Sequence, residues 1–172
     1  MRKSCHACLA MIVSVLAVTG AAAVFSAAAV AEPASGTVAY QGRAGTVAVK
    51  VAKVYLVTGP DAVGGKTIRE LIFTAADIGA RLQACASLTC ASGIVSEGMT
   101  VDFDAGPRLN YWVVGNGQMI QYSGTVKPEA ALTATVDTAH RLAGTLRFDD
   151  SAHGGARVDV TFDATVVKQF SK

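Results

Sequence analysis

Asp149, Asp150 and His153 fall together in the stretch Asp-Asp-Ser-Ala-His-Gly-Gly, where two carboxylates and an imidazole from one loop could converge on a divalent cation. Such a mixed oxygen and nitrogen set suits several metals, but no further donor follows at ligand spacing, and Asp, Ser and Gly-Gly are also what a hairpin connection is made of. Asp102 and Asp104 stand two apart on a segment that alternates with Met99, Val101 and Phe103, so both carboxylates project from one face of a strand. They could do acid-base work or hold a cation; the plainer expectation is a solvent-facing edge of the strand. No Gly-x-Ser-x-Gly elbow is present to activate a serine.

Cys85 and Cys90 lack the two-residue spacing of a redox pair. In an oxidising compartment they are expected to form a local disulfide, which by the chain-entropy argument contributes about 2 kcal/mol for so short a loop. Gly59 to Thr67, Gly-Pro-Asp-Ala-Val-Gly-Gly-Lys-Thr, invites comparison with a phosphate-binding loop. It has five residues where that motif has four, and a short β-branched run follows in place of a helix, so a turn between strands is expected. No motif calls for a cofactor.

The remaining candidates are aromatic. Leu109 to Ser123 reads as a β-hairpin turning on Asn116-Gly117, a pair that tolerates the positive φ of a type I′ turn. A two-residue turn sets Val114 opposite Met119, Trp112 opposite Gln121 and Tyr111 opposite Tyr122. Side chains alternate, so Tyr111, Val113, Ile120 and Tyr122 share one face and Trp112, Val114, Met119 and Gln121 the other. Both faces are largely apolar, and only one can be the core of a β-domain. Trp112, Val114 and Met119, or Tyr111 with Tyr122, are therefore the candidate ligand platform.

The elements that must position these residues are mostly strands. Thr46 to Thr58 alternates but slips phase near Ala52-Lys53, as a bulge would produce. Thr37–Tyr40, Thr67–Phe73, residues 99–103, 132–137, Arg141–Phe148 and Arg157–Val167 are further strands. In the last pair, Phe148 opposite Val158 would set Arg147 against Asp159, whereas a slip would juxtapose Arg147 and Arg157. Thr74-Ala-Ala-Asp77 resembles a capping box, and Ile78, Leu82 and Cys85 recur at helical spacing, predicting one helix over 75–86. Its narrow apolar stripe needs a surface. Partial cover of the Trp112 face is expected, with Trp112 at the rim of a groove between helix and sheet.

Arg2 and Lys3, an apolar run from Leu9 to Phe25 and the small-residue box Ala29-Val30-Ala31 spell an export signal over 1–31, with cleavage before Glu32; a membrane anchor is the alternative. Cys5 and Cys8 leave with it. Arg2 and Lys3 also account for the whole excess of 15 basic over 13 acidic residues. The remaining chain is neutral and without basic runs, which argues against nucleic acid and, after cleavage, against a membrane surface as partners. Residues 32–172 form one domain by length, and their short alternating strands predict a mainly β fold, an antiparallel β-sandwich or flattened barrel with one short helix and one disulfide. The expected function is that of an exported, non-catalytic binding protein for a protein, a glycan or an apolar small molecule, with an inhibitor or immunity-like role among the possibilities. The alternatives are a small exported hydrolase or metal-dependent enzyme using the 149–153 loop, and a structural or pilus-like subunit.

Overall fold

The alternating stretches become strands, and the doubly apolar 109–123 hairpin is packed on one face and only partly covered on the other. The computed structural model describes residues 30–42, 45–115, 118–122 and 126–171, so the export signal up to residue 29 and the Asn116-Gly117 turn lie outside the described residues. In chain order the elements are β1 (Glu32–Gly42), β2 (Gly45–Pro60), β3 (Thr67–Thr74), α1 (Gly79–Ala84), α2 (Leu88–Gly93), β4 (Gly98–Asp102), β5 (Asn110–Gly115) and β6 (Gln118–Tyr122). Then follow α3 (Pro128–Ala131), β7 (Leu132–Asp137), β8 (Arg141–Asp149), a 3₁₀ turn at Ser151–His153, and β9 (Ala156–Gln169). The strands make one sheet in the order β6-β5-β4-β3-β2-β1-β9-β8-β7, with antiparallel neighbours. Past the start of β1, the ends of β2 and β9 meet directly and run parallel, Leu56 beside Val166.

The sheet rolls over on itself around a single core. A Cβ on Gly115 of β5 would stand 2.4 Å from the Val47 side chain of β2, and the Tyr111 hydroxyl of β5 accepts a 2.9 Å hydrogen bond from the Ala156 amide of β9. Strands far apart in the order thus face each other. This is the expected mainly β, sandwich-like class, built as one curled sheet. Its inner face gathers Val49, Leu71, Phe73, Met99, Val101, Tyr111, Val113, Leu146, Val160 and Phe162 into one buried cluster. The phase slip in β2 is real: Val47, Val49 and Val51 feed the core on one parity, Val54 and Leu56 on the other. The register between β1 and β2 shifts at the same place, between Pro33 and Gly36, with the extra residue on β1.

Both hairpin registers follow the packing logic. Tyr111 lies opposite Tyr122, Trp112 opposite Gln121 and Val114 opposite Met119. In the last hairpin Phe148 faces Val158 and Arg147 faces Asp159, joined by a 2.9 Å ion pair. Gly144 leaves room opposite Phe162, whose ring stands edge-on to Phe73 at 5.4 Å.

The helical part departs from expectation. One helix over 75–86 is replaced by α1 and α2, and α3, starting at Pro128, adds a third. Thr74 does not cap: its Oγ1 donates to the Ala76 carbonyl at 2.6 Å. Asp77 instead accepts from the Gly79 amide and from the Tyr55 hydroxyl, both at 2.7 Å, and that hydroxyl accepts from the Ile78 amide at 2.8 Å. Helix α1 therefore begins at Gly79. Burial, with Asp77 second, pushes the Tyr55 phenol up to about 12. At the other end Lys168 Nζ donates to the carbonyls of Gln83 (2.6 Å) and Cys85 (2.5 Å), satisfying orphan acceptors of the last turn. Ser87 Oγ then accepts from the Cys90 amide at 3.2 Å and starts α2. The Cys85–Cys90 disulfide joins the two helices. The first strand is also longer than Thr37–Tyr40, because β1 finds a partner on each side in β2 and β9.

Candidate functional site

Every strand of a curled sheet has an outer face, and what covers it here decides where a site can lie. Tyr55 and Val57 of β2, Ile68 and Ile72 of β3 and Val114 of β5 form a second buried cluster with Ile78, Leu82, Leu88, Ala91 and Val95 of the helical segment and with Phe170. Helix α2 can come this close because β2 has a glycine beneath it: a Cβ on Gly59 would stand 3.0 Å from Phe170 Cβ and 3.3 Å from Leu88 Cβ. The cover reaches Val114 but leaves Trp112 and Met119 of the β5–β6 hairpin partly open. Between α2 and the outer face of β3, β4 and β5 runs a groove of about 380 Å³, walled by Ile68, Leu88, Trp112 and Met119 and rimmed by Pro60 to Val63 of the β2–β3 turn. That volume lies within the range of small-molecule sites.

The base of the groove is acidic. Glu70 of β3 lies directly opposite Asp102 of β4, which in turn lies opposite Asn110 of β5. Both residues are 3% exposed. Ser92 Oγ of α2 donates to Glu70 Oε1 at 2.8 Å, and Asn110 Nδ2 approaches Asp102 Oδ2 at 3.4 Å, while the buried Asp102 Oδ1 receives no hydrogen bond from an N–H or hydroxyl of the described residues. Two carboxylates side by side can only accept, so a proton must be retained between them. Glu70 retains it: burial, and then the charge of Asp102, hold its carboxyl well above the usual range. Burial also pushes Asp102 up to about 6. The other charges that bear on Asp102, Asp61 and Asp104, have the same sign and raise it further. At neutral pH the pair thus keeps one proton and one negative charge beneath an apolar wall.

The residues singled out in the sequence divide between three places. Trp112, half-buried, and Met119, 49% exposed, line the groove. Val114 is buried under the helical cover. Tyr111 and Tyr122 point to the opposite face: Tyr111 is fully buried, with Tyr122 at 5.6 Å and Phe148 at 5.1 Å between ring centroids, and the Tyr122 hydroxyl donates to the His153 carbonyl at 2.6 Å. They close the end of the core and do not reach the groove.

Asp149, Asp150 and His153 do not converge. Asp149 Oδ1 accepts from the amide and hydroxyl of Ser151 at 3.1 and 2.5 Å, holding it on the outside of the turn, whereas Asp150 is buried with Oδ1 at 3.1 Å from His153 Nδ1. Among the described residues no group of three or more His, Cys, Asp or Glu side chains could hold a metal ion.

Asp102 and Asp104 correct the expectation of a shared solvent-facing edge. Asp102 is buried beneath α2, and Asp104, beyond the end of β4, is clamped by Arg69 Nε at 2.8 Å, which holds its carboxyl below the usual range. Glu70 is the groove residue that the sequence does not single out. Its signal is its place between Ile68 and Ile72 on a strand whose other face, Leu71 and Phe73, is equally apolar, so neither face of β3 offers a carboxylate to water. The 59–67 segment joins two strands by a turn, as expected, the turn itself spanning 61–66, where Asp61 Oδ2 accepts from the Gly64 amide at 2.6 Å. No family model, no curated protein and no solved structure matches the chain.

Proposed function

We propose that the chain is an exported, non-catalytic binding protein that takes a small, largely apolar ligand in the groove between α2 and the outer face of β3–β5. The observation that carries this reading is the Trp112 and Met119 wall, apolar surface on the second face of the hairpin that the helices leave uncovered. Export is supported by the disulfide between Cys85 and Cys90, since such bridges persist in oxidising compartments. No helix of the described residues is long and apolar enough to cross a membrane. Intact mass of the exported chain should begin at Glu32.

The neutral apolar probe N-phenyl-1-naphthylamine tests the groove itself. Trp112 is the only tryptophan, so energy transfer to bound probe reports this site alone. Saturable one-to-one transfer is expected. Gly93→Phe should abolish it with the fold intact, because Gly93 lines the groove and a Cβ there meets nothing within 4 Å. Equal binding by the variant, or none by the wild type, would sink the proposal. A second reading, hydrolysis by the Glu70–Asp102 pair, rests on the raised pKa values of two carboxyls in a cleft. Turnover of chromogenic glycosides or esters that Glu70→Gln abolishes would favour it over binding.

A further inference from the structure

An apolar groove with a buried acidic floor does not suit every apolar ligand equally. Asp102 Oδ1 is buried, receives no hydrogen bond from an N–H or hydroxyl of the described residues, and belongs to a residue that lines the groove. From the elements packed around it, Asp102 faces Glu70 of β3, Ser92 of α2, Asn110 of β5, Asp61 of the β2–β3 turn and Asp104 beyond β4. These are acids or neutral groups, and the nearby Arg69 is engaged by Asp104 and Asp137. The counter-charge is therefore not supplied by these neighbours. A carboxylate oxygen accepts more than one hydrogen bond, so the proton offered by Glu70 leaves room for a donor from the groove.

We infer that the groove selects an amphiphilic monocation, a primary ammonium head seated on Asp102 above Glu70 with its apolar tail along Trp112, Leu88 and Met119. A single net charge on the pair matches one ammonium and not a divalent metal, in keeping with a floor built of only two carboxyls. An ammonium supplies three donors for the oxygens of the pair, and the tail is drawn from water by the walls. This rests on the groove being the ligand site, and adds the head group to it.

The test holds the tail constant and varies the head: n-octylammonium, 1-octanol and octanoate are titrated into the full exported chain, read by Trp112 fluorescence and calorimetry. At pH 7.5 octylammonium should bind about tenfold or more tightly than 1-octanol, the order expected of one charge-assisted hydrogen bond, and octanoate should bind least. The preference should vanish at pH 5, because the lifted pKa of Asp102, about 6, falls between the two conditions. Asp102→Asn should erase it, while Glu70→Gln, which keeps a donor beside a charged Asp102, should preserve it. If either variant fails to fold, the pH comparison on the wild type still decides. Octylammonium and octanol binding alike at pH 7.5 would overturn the ammonium assignment and leave the apolar groove standing. Binding by none of the three would overturn both.

Discussion

Asp102→Asn should make the protein more stable at neutral pH, against the usual direction of core substitutions. In the folded chain the Asp102 carboxyl is raised from 3.8 to about 6. Because the folded state holds this proton more tightly than the unfolded one, the contribution to stability is fullest below about pH 4 and is lost as pH rises through 6. A tenfold change in proton affinity is worth about 1.4 kcal/mol, so the buried charge costs about 3 kcal/mol at pH 7.5. Asparagine removes the charge, keeps the shape and weakens the hydrogen bond from Asn110 Nδ2, itself 3.4 Å long, by about 1 kcal/mol. A net gain of about 2 kcal/mol remains, which for a domain of this size is a rise in Tm of roughly 6 °C. At pH 4, where wild-type Asp102 is largely protonated when folded, the variant should be slightly the less stable. Differential scanning calorimetry of both proteins from pH 4 to 8 measures the difference curve, and the ion-paired surface carboxylates common to both cancel from it. A flat difference, or a variant destabilised equally at pH 4 and 7.5, would show that Asp102 carries no burial cost, and the reasoning would fail.

Other perturbations test the frame around the site. Tyr111→Phe should cost about 1–3 kcal/mol in urea unfolding, because it strands the buried Ala156 amide that the hydroxyl satisfies at 2.9 Å; an unchanged midpoint would mean that water replaces it. Gly144→Ala should cost several kcal/mol or prevent folding, since φ is +148° and the new Cβ would lie 2.1 Å from the Thr133 carbonyl oxygen of β7; a stable variant would contradict the β7–β8 register. Reducing Cys85–Cys90 should lower stability by about 2 kcal/mol and raise amide exchange in α1 and α2 ahead of the sheet. Uniform exchange throughout would show that the bridge does not anchor the helical cover.

Much of this architecture is legible from alternation and charge. The two-residue turn sets Trp112 and Met119 on one face, and the Arg147 and Asp159 pairing chooses the last register, because a one-residue slip in either hairpin would invert every side chain. The groove is legible only in part. A narrow helical stripe and a second apolar hairpin face imply partial cover, but α2 is hidden in Ser87 to Gly93, too short for a periodic signal and capped by one serine. The acidic floor is legible only in the place of Glu70 on a strand that is apolar on both faces. Asp102 follows the alternation of an ordinary solvent-facing position, and it is buried by α2 and by Glu70 across the strand pair, relations that exist only once β3, β4 and the helix are assembled. The 149–153 loop fails as a metal site for a comparable reason: the 3₁₀ turn that places Asp150 inside leaves Asp149 outside.

Amide chemical-shift mapping of the isotope-labelled chain with n-octylammonium tests the central claim most directly. Binding in the groove should perturb a contiguous set of amides in α2 (88–93), the β2–β3 turn (60–63) and the outer-face positions of β3 to β6, including Glu70, Asp102, Asn110, Trp112 and Met119, and leave the 149–153 turn unmoved. Perturbations centred on the 149–153 turn or on the β8–β9 hairpin, or scattered without a focus, would contradict the account.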